Sequence, residues 1–323
     1  TRRSSDLPVE TPVYDFHELY RGLMSPEHEA STFRLVDRAG DLLVLRSDIT
    51  LFLARQMGLV LEESDLPVRV YYGDTILRHE DAHDISKNEY FQVGAELIGM
   101  TGLAADAEVV LLLFDTLDHW NAGDVVVHVG HRALLREHNE SGSLAPAVAA
   151  RDWSAARAIL ERQKVDADRI DALLTLYRFI GSPAELEELT GRLPDLGTDE
   201  RNTINHLLSL AEEFAAIGYG DRVRIDLSEV GSQSYHSGVV FQAYAPDAAA
   251  PIASGGRYYG LLARFGCDAP SVGFSVMLRR LQIRSDVEQH HVTPDAIRPE
   301  GPSFRERFRA AQELRAQGKV AEL

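Results

Sequence analysis

Cysteine is almost missing from this chain: Cys267 is the only one in 323 residues. A single cysteine excludes an intrachain disulfide and a multi-cysteine zinc cluster, which fits a reducing compartment and a cytoplasmic protein. Cys267 lies in a Gly-Cys-Asp turn before Pro270, where a structural role is expected. Long apolar runs are missing too. The longest candidate, Val109 to Phe114, is short and flanked by Asp106, Glu108 and Asp115. A bilayer span needs roughly 20 apolar residues, so this run reads as one face of a core helix and no membrane segment is expected. No signal-peptide pattern opens the chain. Basic residues are outnumbered, 33 Lys and Arg against 50 Asp and Glu, for a formal net charge of -17. An acidic surface repels phosphate, and no Lys/Arg run offsets it, so nucleic acid is not an expected partner. Gly-rich phosphate loops of Rossmann or Walker type are absent as well.

With 45% hydrophobic and 26% charged residues, the chain can bury a full core and reads as one large domain with appendages. Phe33 to Val36 and Leu42 to Leu45, separated by a polar Asp/Arg/Gly turn, signal a hairpin. Ser47 to Gly58 opens on Ser/Asp and closes on Gly, as a capped helix should. Val68 to Tyr72 and Tyr90 to Ile98 read as strands, the second alternating at Phe91, Val93, Ala95 and Leu97. Leu103 to Trp120 reads as a long helix and Val125 to Val129 as a strand. From about residue 133 to 222 the sequence turns Leu-, Ala-, Glu- and Arg-rich and reads as a helical insertion. Strand signals return at Val223 to Leu227, Gly238 to Ala245 and Ser271 to Phe274, the last leading into a helix that ends near Ile283. Thr293 to Pro302 reads as a linker and Phe304 to Ala316 as an amphipathic helix. Residues 1–281 are thus the expected core and 282–323 a short C-terminal segment. The opening stretch has no helix-forming lead-in, and a first helix is expected to precede it. Mainly antiparallel strands, with helices on one side and a helical insertion, indicate an α+β architecture.

His79-Glu80-Asp81-Ala82-His83 fits H-E-x-x-H, which on a helix would present two imidazoles to zinc. Neither flank continues an amphipathic helix: the upstream run is β-branched and aromatic, the downstream run polar. A strand-to-loop edge is the expected reading.

The same segment fits a more demanding pattern. Arg78-x-Glu80 followed by Gln92-x-Gly94-x-Glu96 resembles motif 2 of class II aminoacyl-tRNA synthetases, and of histidyl-tRNA synthetase in particular. Further matches follow in order. Leu45 to Thr50 resembles the family's L-R-P-E-x-T loop, and Tyr235 to Phe241 its Y-Y-T-G-x-V-F segment. Ala253 to Leu261 resembles its G-G-R-Y-D-G-L turn, and Val272-Gly273-Phe274 to Arg280-Leu281 resembles motif 3. Together they cover about 235 residues.

The resemblance implies a class II synthetase-like antiparallel sheet flanked by helices, with a pocket for an amino acid. A free amino acid carries an ammonium group, which calls for carboxylate and neutral acceptors. Asp48, Thr50 and Gln92 match the positions serving that role. An imidazole needs a partner at each ring nitrogen, which Glu96 and Tyr258 could supply. His236, standing where the family has a second tyrosine, joins Arg78 and Arg257 to complete the candidate histidine-binding set.

Activating an amino acid on ATP needs cations where charge develops on the phosphates. Arg78 is retained and Arg280 matches the motif 3 arginine. The second motif 2 arginine falls near Ser86, the catalytic arginine falls at about Gly231, and Met277 stands where a glycine normally makes room for the nucleotide. Adenylation is therefore not expected. Only 42 residues follow Leu281, too few for the family's anticodon-binding domain, so tRNA binding is not expected either.

A synthetase-like core without these two functions resembles a paralogous family, the regulatory subunits of short-form ATP phosphoribosyltransferase. That resemblance implies a non-catalytic role in histidine biosynthesis, with a separate catalytic subunit as partner in a hetero-oligomer. It also implies self-association as a dimer, L-histidine as a feedback ligand, and neither cofactor nor metal. A histidyl-tRNA synthetase core, or another enzyme that activates an amino acid, remains the alternative.

Overall fold

The computed structural model describes residues 7–282 apart from 81–82, 140–142, 194–195, 232, 247 and 249, together with 310, 313, 314 and 317. The expected linker at 293–302 and all but isolated positions of the expected C-terminal helix lie outside these residues. By its contacts the chain divides into two units, 1–281 and 282–323, and the first carries everything that follows.

Two sheets organise that unit. Strands β1 (Leu7–Pro8), β2 (Tyr14–Phe16), β3 (Arg34–Val36) and β4 (Leu42–Leu45) open the chain, with α1 (Pro26–Ser31) after β2 and α2 (Ile49–Val60) after β4. The expected hairpin forms as β3 and β4, antiparallel through Leu35 and Leu43. β2 pairs with the other edge of β4 to complete a small three-stranded sheet.

The large sheet has nine described strands. β5 (Val68–Leu77) and β6 (Glu89–Ile98) precede α3 (Leu103–His119), and β7 (Val126–His131) follows it. The stretch expected to be helical contains α4 (Leu144–Ala149), α5 (Trp153–Arg162), α6 (Ala167–Tyr177), α7 (Pro183–Gly191) and α8 (Thr198–Ala216), with β8 (Ile180–Gly181) among them. β9 (Val223–Asp226), β10 (Val239–Tyr244), β11 (Ala253–Tyr258), β12 (Ser271–Met277) and α9 (Leu278–Gln282) complete the unit. The spatial order is β1-β5-β6-β12-β11-β10-β7-β9-β8. Pairing is antiparallel except at β1/β5 and β7/β9.

Two differences from the sequence expectations stand out. β5 runs five residues past Tyr72, to Leu77, pairing throughout with β6. Ala253 to Tyr258, expected as a turn, is an inner strand paired on both sides. Its glycines hide the alternation that marks a strand, and the pairing comes from its neighbours.

Helices cover both faces of the sheet rather than one. Val272, Phe274 and Val276 of β12 are buried in one cluster with Val109, Val110, Leu113 and Phe114 of α3. Val70, Tyr72, Ile98, Tyr258 and Met277 share a second cluster with Ile49, Leu51, Phe52 and Leu53 of α2. Successive side chains of a strand point to opposite faces, so β6 sends Leu97 to the first cluster and Ile98 to the second, and β12 sends Val276 to the first and Met277 to the second. The 79–80 segment is non-helical: Arg78 forms an isolated bridge with Thr32, and the His79 ring stacks on Phe33.

Candidate functional site

On the α2 side the sheet is bare where β6, β12 and β11 meet. Register places Glu96 beside Gly273, Gly273 beside Gly256, and Gly256 beside Val240. A Cβ on Gly273 would lie 2.0 Å from Glu96 Oε2, so no larger residue leaves room for that carboxyl. Above this floor is a cavity of about 160 Å³. A cavity of about 150 Å³ accommodates benzene, so the space is on the scale of one aromatic ring.

One end of the cavity is built by the start of α2 and by β6. Asp48 is the N-cap of α2: its Oδ1 accepts from the Thr50 amide at 2.8 Å, a contact worth about 1 kcal/mol to a helix. Its other oxygen accepts from the Tyr235 hydroxyl at 3.1 Å. Gln92 Oε1 accepts from the Ile49 amide at 3.2 Å. Glu96 is buried, and its two oxygens accept from Thr50 Oγ1 at 3.2 Å and Ser271 Oγ at 3.1 Å. Desolvation outweighs these donors and pushes its pKa up to about 7. The Tyr258 hydroxyl is also buried, and its pKa is raised first by burial and then by the Glu96 charge. Glu96 and Ser271 both stand close enough to shift it, but neither meets the hydroxyl in normal hydrogen-bond geometry. A polar ligand would give it a better-aligned partner.

Tyr258 and Arg257 were expected together, but the pleat separates them. Tyr258 faces the cavity, whereas Arg257 points to the α3 side, where its Nε donates to Asp106 Oδ1 at 2.6 Å and its Nη1 to the Met100 carbonyl at 2.8 Å. Adjacent strand residues cannot share a face. Arg257 is therefore a buried structural cation outside the cavity.

The opposite end is different. Gly231 holds φ +77°, a left-handed backbone that an L side chain rarely adopts. Its amide donates to Glu229 Oε1 at 3.2 Å, and burial pushes the Glu229 carboxyl up to about 7. Met277 also lines the cavity, buried and paired in register with Gln92 on the β6 side. Arg78 Nε donates to the Ser47 carbonyl and Arg280 Nη1 to the Pro251 carbonyl, each at 2.8 Å. Both guanidinium groups line the cavity while bonded to backbone. Ser86 does not line it; its carbonyl accepts from Arg279 Nη1 at 2.7 Å on the exposed 3-10 turn Ile85–Asn88.

Asp48, Thr50, Arg78, Gln92, Glu96, His236 and Tyr258 thus come together, and Arg257 does not. Burial holds the His236 ring neutral, its pKa lowered to about 4. Sequence reasoning missed Glu229, the Tyr72 hydroxyl 3.5 Å from Thr50 Oγ1, and the relay in which His28 bridges Ser47 Oγ at 2.9 Å and Gln233 Oε1 at 3.0 Å. No local pattern marks these; Gln233 two residues before Tyr235 was the only available signal. Among the described residues of the cavity no trio of His, Cys, Asp or Glu atoms converges as metal ligands would.

Comparisons with known proteins give the family and the fold. A family model described as histidyl-tRNA synthetase matches residues 7–281. An ATP phosphoribosyltransferase regulatory subunit of Geobacter sulfurreducens is 32% identical, over 96% of this chain and 73% of the relative. A Bacillus halodurans crystal structure titled ATP phosphoribosyltransferase regulatory subunit/histidyl-tRNA synthetase superposes with a TM-score of 0.78 at 25% identity, covering 98% of this chain and 83% of that one. Histidyl-tRNA synthetase of a Nostoc species, 19% identical, shares the fold with a TM-score of 0.73 over 98% of this chain and 78% of its own. On the model match and the 32% identity, the chain belongs to the histidyl-tRNA synthetase-like family of ATP phosphoribosyltransferase regulatory subunits, on a class II synthetase fold.

Proposed function

We propose that this chain is the non-catalytic regulatory subunit of a short-form ATP phosphoribosyltransferase, that the catalytic subunit needs it for activity, and that L-histidine in the cavity conveys feedback inhibition. The names of its relatives support the partner, and the asymmetry of the cavity supports the ligand. The observation that carries the reading is Glu96, a fully buried carboxyl with a pKa of about 7, set beside the buried Tyr258 hydroxyl on the floor of the cavity. An imidazole offers one nitrogen to accept and one to donate, which matches a hydroxyl and a carboxylate. Asp48, Thr50 and Gln92 stand where the ammonium would be met.

The role is regulatory because the other end opposes a nucleotide. A buried carboxyl at Glu229 and a left-handed glycine at 231 stand where adenylation calls for cations. If histidine inhibits by favouring one state of the complex, the state of the catalytic subunit must alter histidine affinity by the same factor. The reading includes a dimer of this chain in the cytoplasm and no nucleic-acid partner. Its test is reconstitution. The catalytic chain should co-purify with this one, be at least tenfold more active in its presence, and lose histidine inhibition in Tyr258→Phe. A catalytic chain equally active alone would overturn the role.

Arg78 and Arg280 at the cavity favour one second reading, an enzyme that activates an amino acid. That reading requires histidine-dependent exchange of pyrophosphate into ATP, and its presence would replace the regulatory role.

A further inference from the structure

A second cluster of polar groups lies in the helical insertion, away from the cavity. The 3-10 helix Arg132–His138 ends on Glu137 and His138, and the first turn of α8 brings Glu200 against them. One donor atom from each of these three residues lies within 4.8 Å of the other two. His138 Nε2 and Glu137 Oε2 are 3.8 Å apart.

The burial of this cluster is unusual for an exposed acidic patch. Glu200 is 1% exposed. Arg169 of α6 takes its Oε1 at 2.5 Å and stands 3.7 Å from Glu137 Oε2. Glu200 Oε2 and His138 Nε2 are nevertheless buried without a hydrogen-bond partner among the described residues. So is the neighbouring Tyr177 hydroxyl. A buried carboxylate oxygen and a buried imidazole nitrogen left bare beside each other call for an electrophile that both can reach. Arg169 alone does not balance two carboxylates.

We propose that Glu137, His138 and Glu200 hold a divalent metal ion of the zinc class, clipping the 3-10 helix to α8. One imidazole and two carboxylate oxygens form a set that zinc accepts, whereas calcium and magnesium prefer oxygen alone. At metal-ligand distances of about 2.1 Å, tetrahedral donors stand roughly 3.4 Å apart, so the three atoms need shifts of about 1 Å or less. Glu137 is exposed and leaves the fourth position to water. Arg169, bonded to the second oxygen of Glu200, orients that ligand as outer partners commonly do. The ion would hold elements far apart in sequence, and the proposal is independent of any ligand in the cavity.

The test uses the tag-free full chain, stripped with chelator and titrated with zinc chloride alone by calorimetry, with melting temperature as a second readout. One zinc per chain and a rise of several degrees are expected. His138→Ala and Glu137→Gln should each weaken zinc binding at least tenfold. Glu137 is exposed, so Glu137→Gln keeps the metal-free melting temperature within about 2 °C of wild type and shows that any loss is not misfolding. The chain has 12 histidines, so surface binding is a real competitor. Equal zinc affinity in wild type and both variants, or no binding at 100 µM zinc, would overturn the proposal.

Discussion

The two ends of the cavity are built from the same sheet, yet they treat charge in opposite ways. At the Glu96 end a carboxyl is surrounded by hydroxyl donors from Thr50 and Ser271, with the Tyr258 hydroxyl buried beside it. At the Gly231 end a second raised carboxyl, Glu229, is bonded by the backbone of the residue near which, by the resemblance, the family's catalytic arginine falls. On the proposed reading, ligand recognition survives in this fold after catalysis is lost, because the two depend on different strands and loops.

Four experiments would break or sharpen that comparison. Arg257 lies outside it, on the opposite face, and serves as the control. Arg257→Ala leaves Asp106 buried without its guanidinium and should cost about 3–5 kcal/mol of stability in chemical denaturation. Histidine affinity of the folded fraction should be unchanged, and a large loss would return Arg257 to the site. At the recognition end, Glu96→Ala should weaken L-histidine binding about 100-fold by calorimetry, as expected when a charged hydrogen bond of about 1.5–3 kcal/mol is removed. Unchanged affinity would place histidine elsewhere.

Titration probes both ends at once. The Glu96 and Glu229 carboxyls have pKa values of about 7 in the folded chain, above the ordinary value of 4.5. As pH rises from 4.5 the unfolded chain loses these protons first, so each group lowers stability progressively up to about pH 7 and by a constant amount above it. The melting temperature of Glu96→Gln relative to wild type should therefore climb by a few degrees between pH 5 and pH 8, and Glu229→Gln should behave alike. Saturating L-histidine should flatten the Glu96 slope alone. A flat profile without ligand would mean that Glu96 titrates as an ordinary carboxyl. The smallest effect, none on pyrophosphate exchange, is expected at the other end. Gly231→Arg forces a side chain into a left-handed backbone, which alone costs about 1–2 kcal/mol, and brings its Cβ to 2.6 Å from His236 Nδ1, which adds to that cost. It should not create pyrophosphate exchange, because Glu229 and Met277 remain; appearance of exchange would show that one arginine separates the two functions.

Much of this was legible locally. Asp48 announced the start of α2 because a capping side chain must precede the first helical turn, and the alternation of Phe91, Val93, Ala95 and Leu97 marked β6. The pleat also implied that Arg257 and Tyr258 could not share a cavity. The Gly-rich run 253–258 obscured that implication, because glycines carry no polarity pattern and the segment read as a turn. Glu229, the His28 relay and the Glu137, His138 and Glu200 cluster were not legible. Each depends on elements brought together only by the fold, and an isolated Glu or His in an acidic sequence carries no signal of burial.

The central claim is that one end of the cavity binds an amino acid while the other has no affinity for a nucleotide. Calorimetric titration of the chain with L-histidine and, separately, with ATP tests it most directly. Saturable binding of one L-histidine per chain is expected, with no detectable heat from magnesium-ATP up to millimolar concentration. Tight ATP binding, or histidine-dependent incorporation of pyrophosphate into ATP, would contradict it.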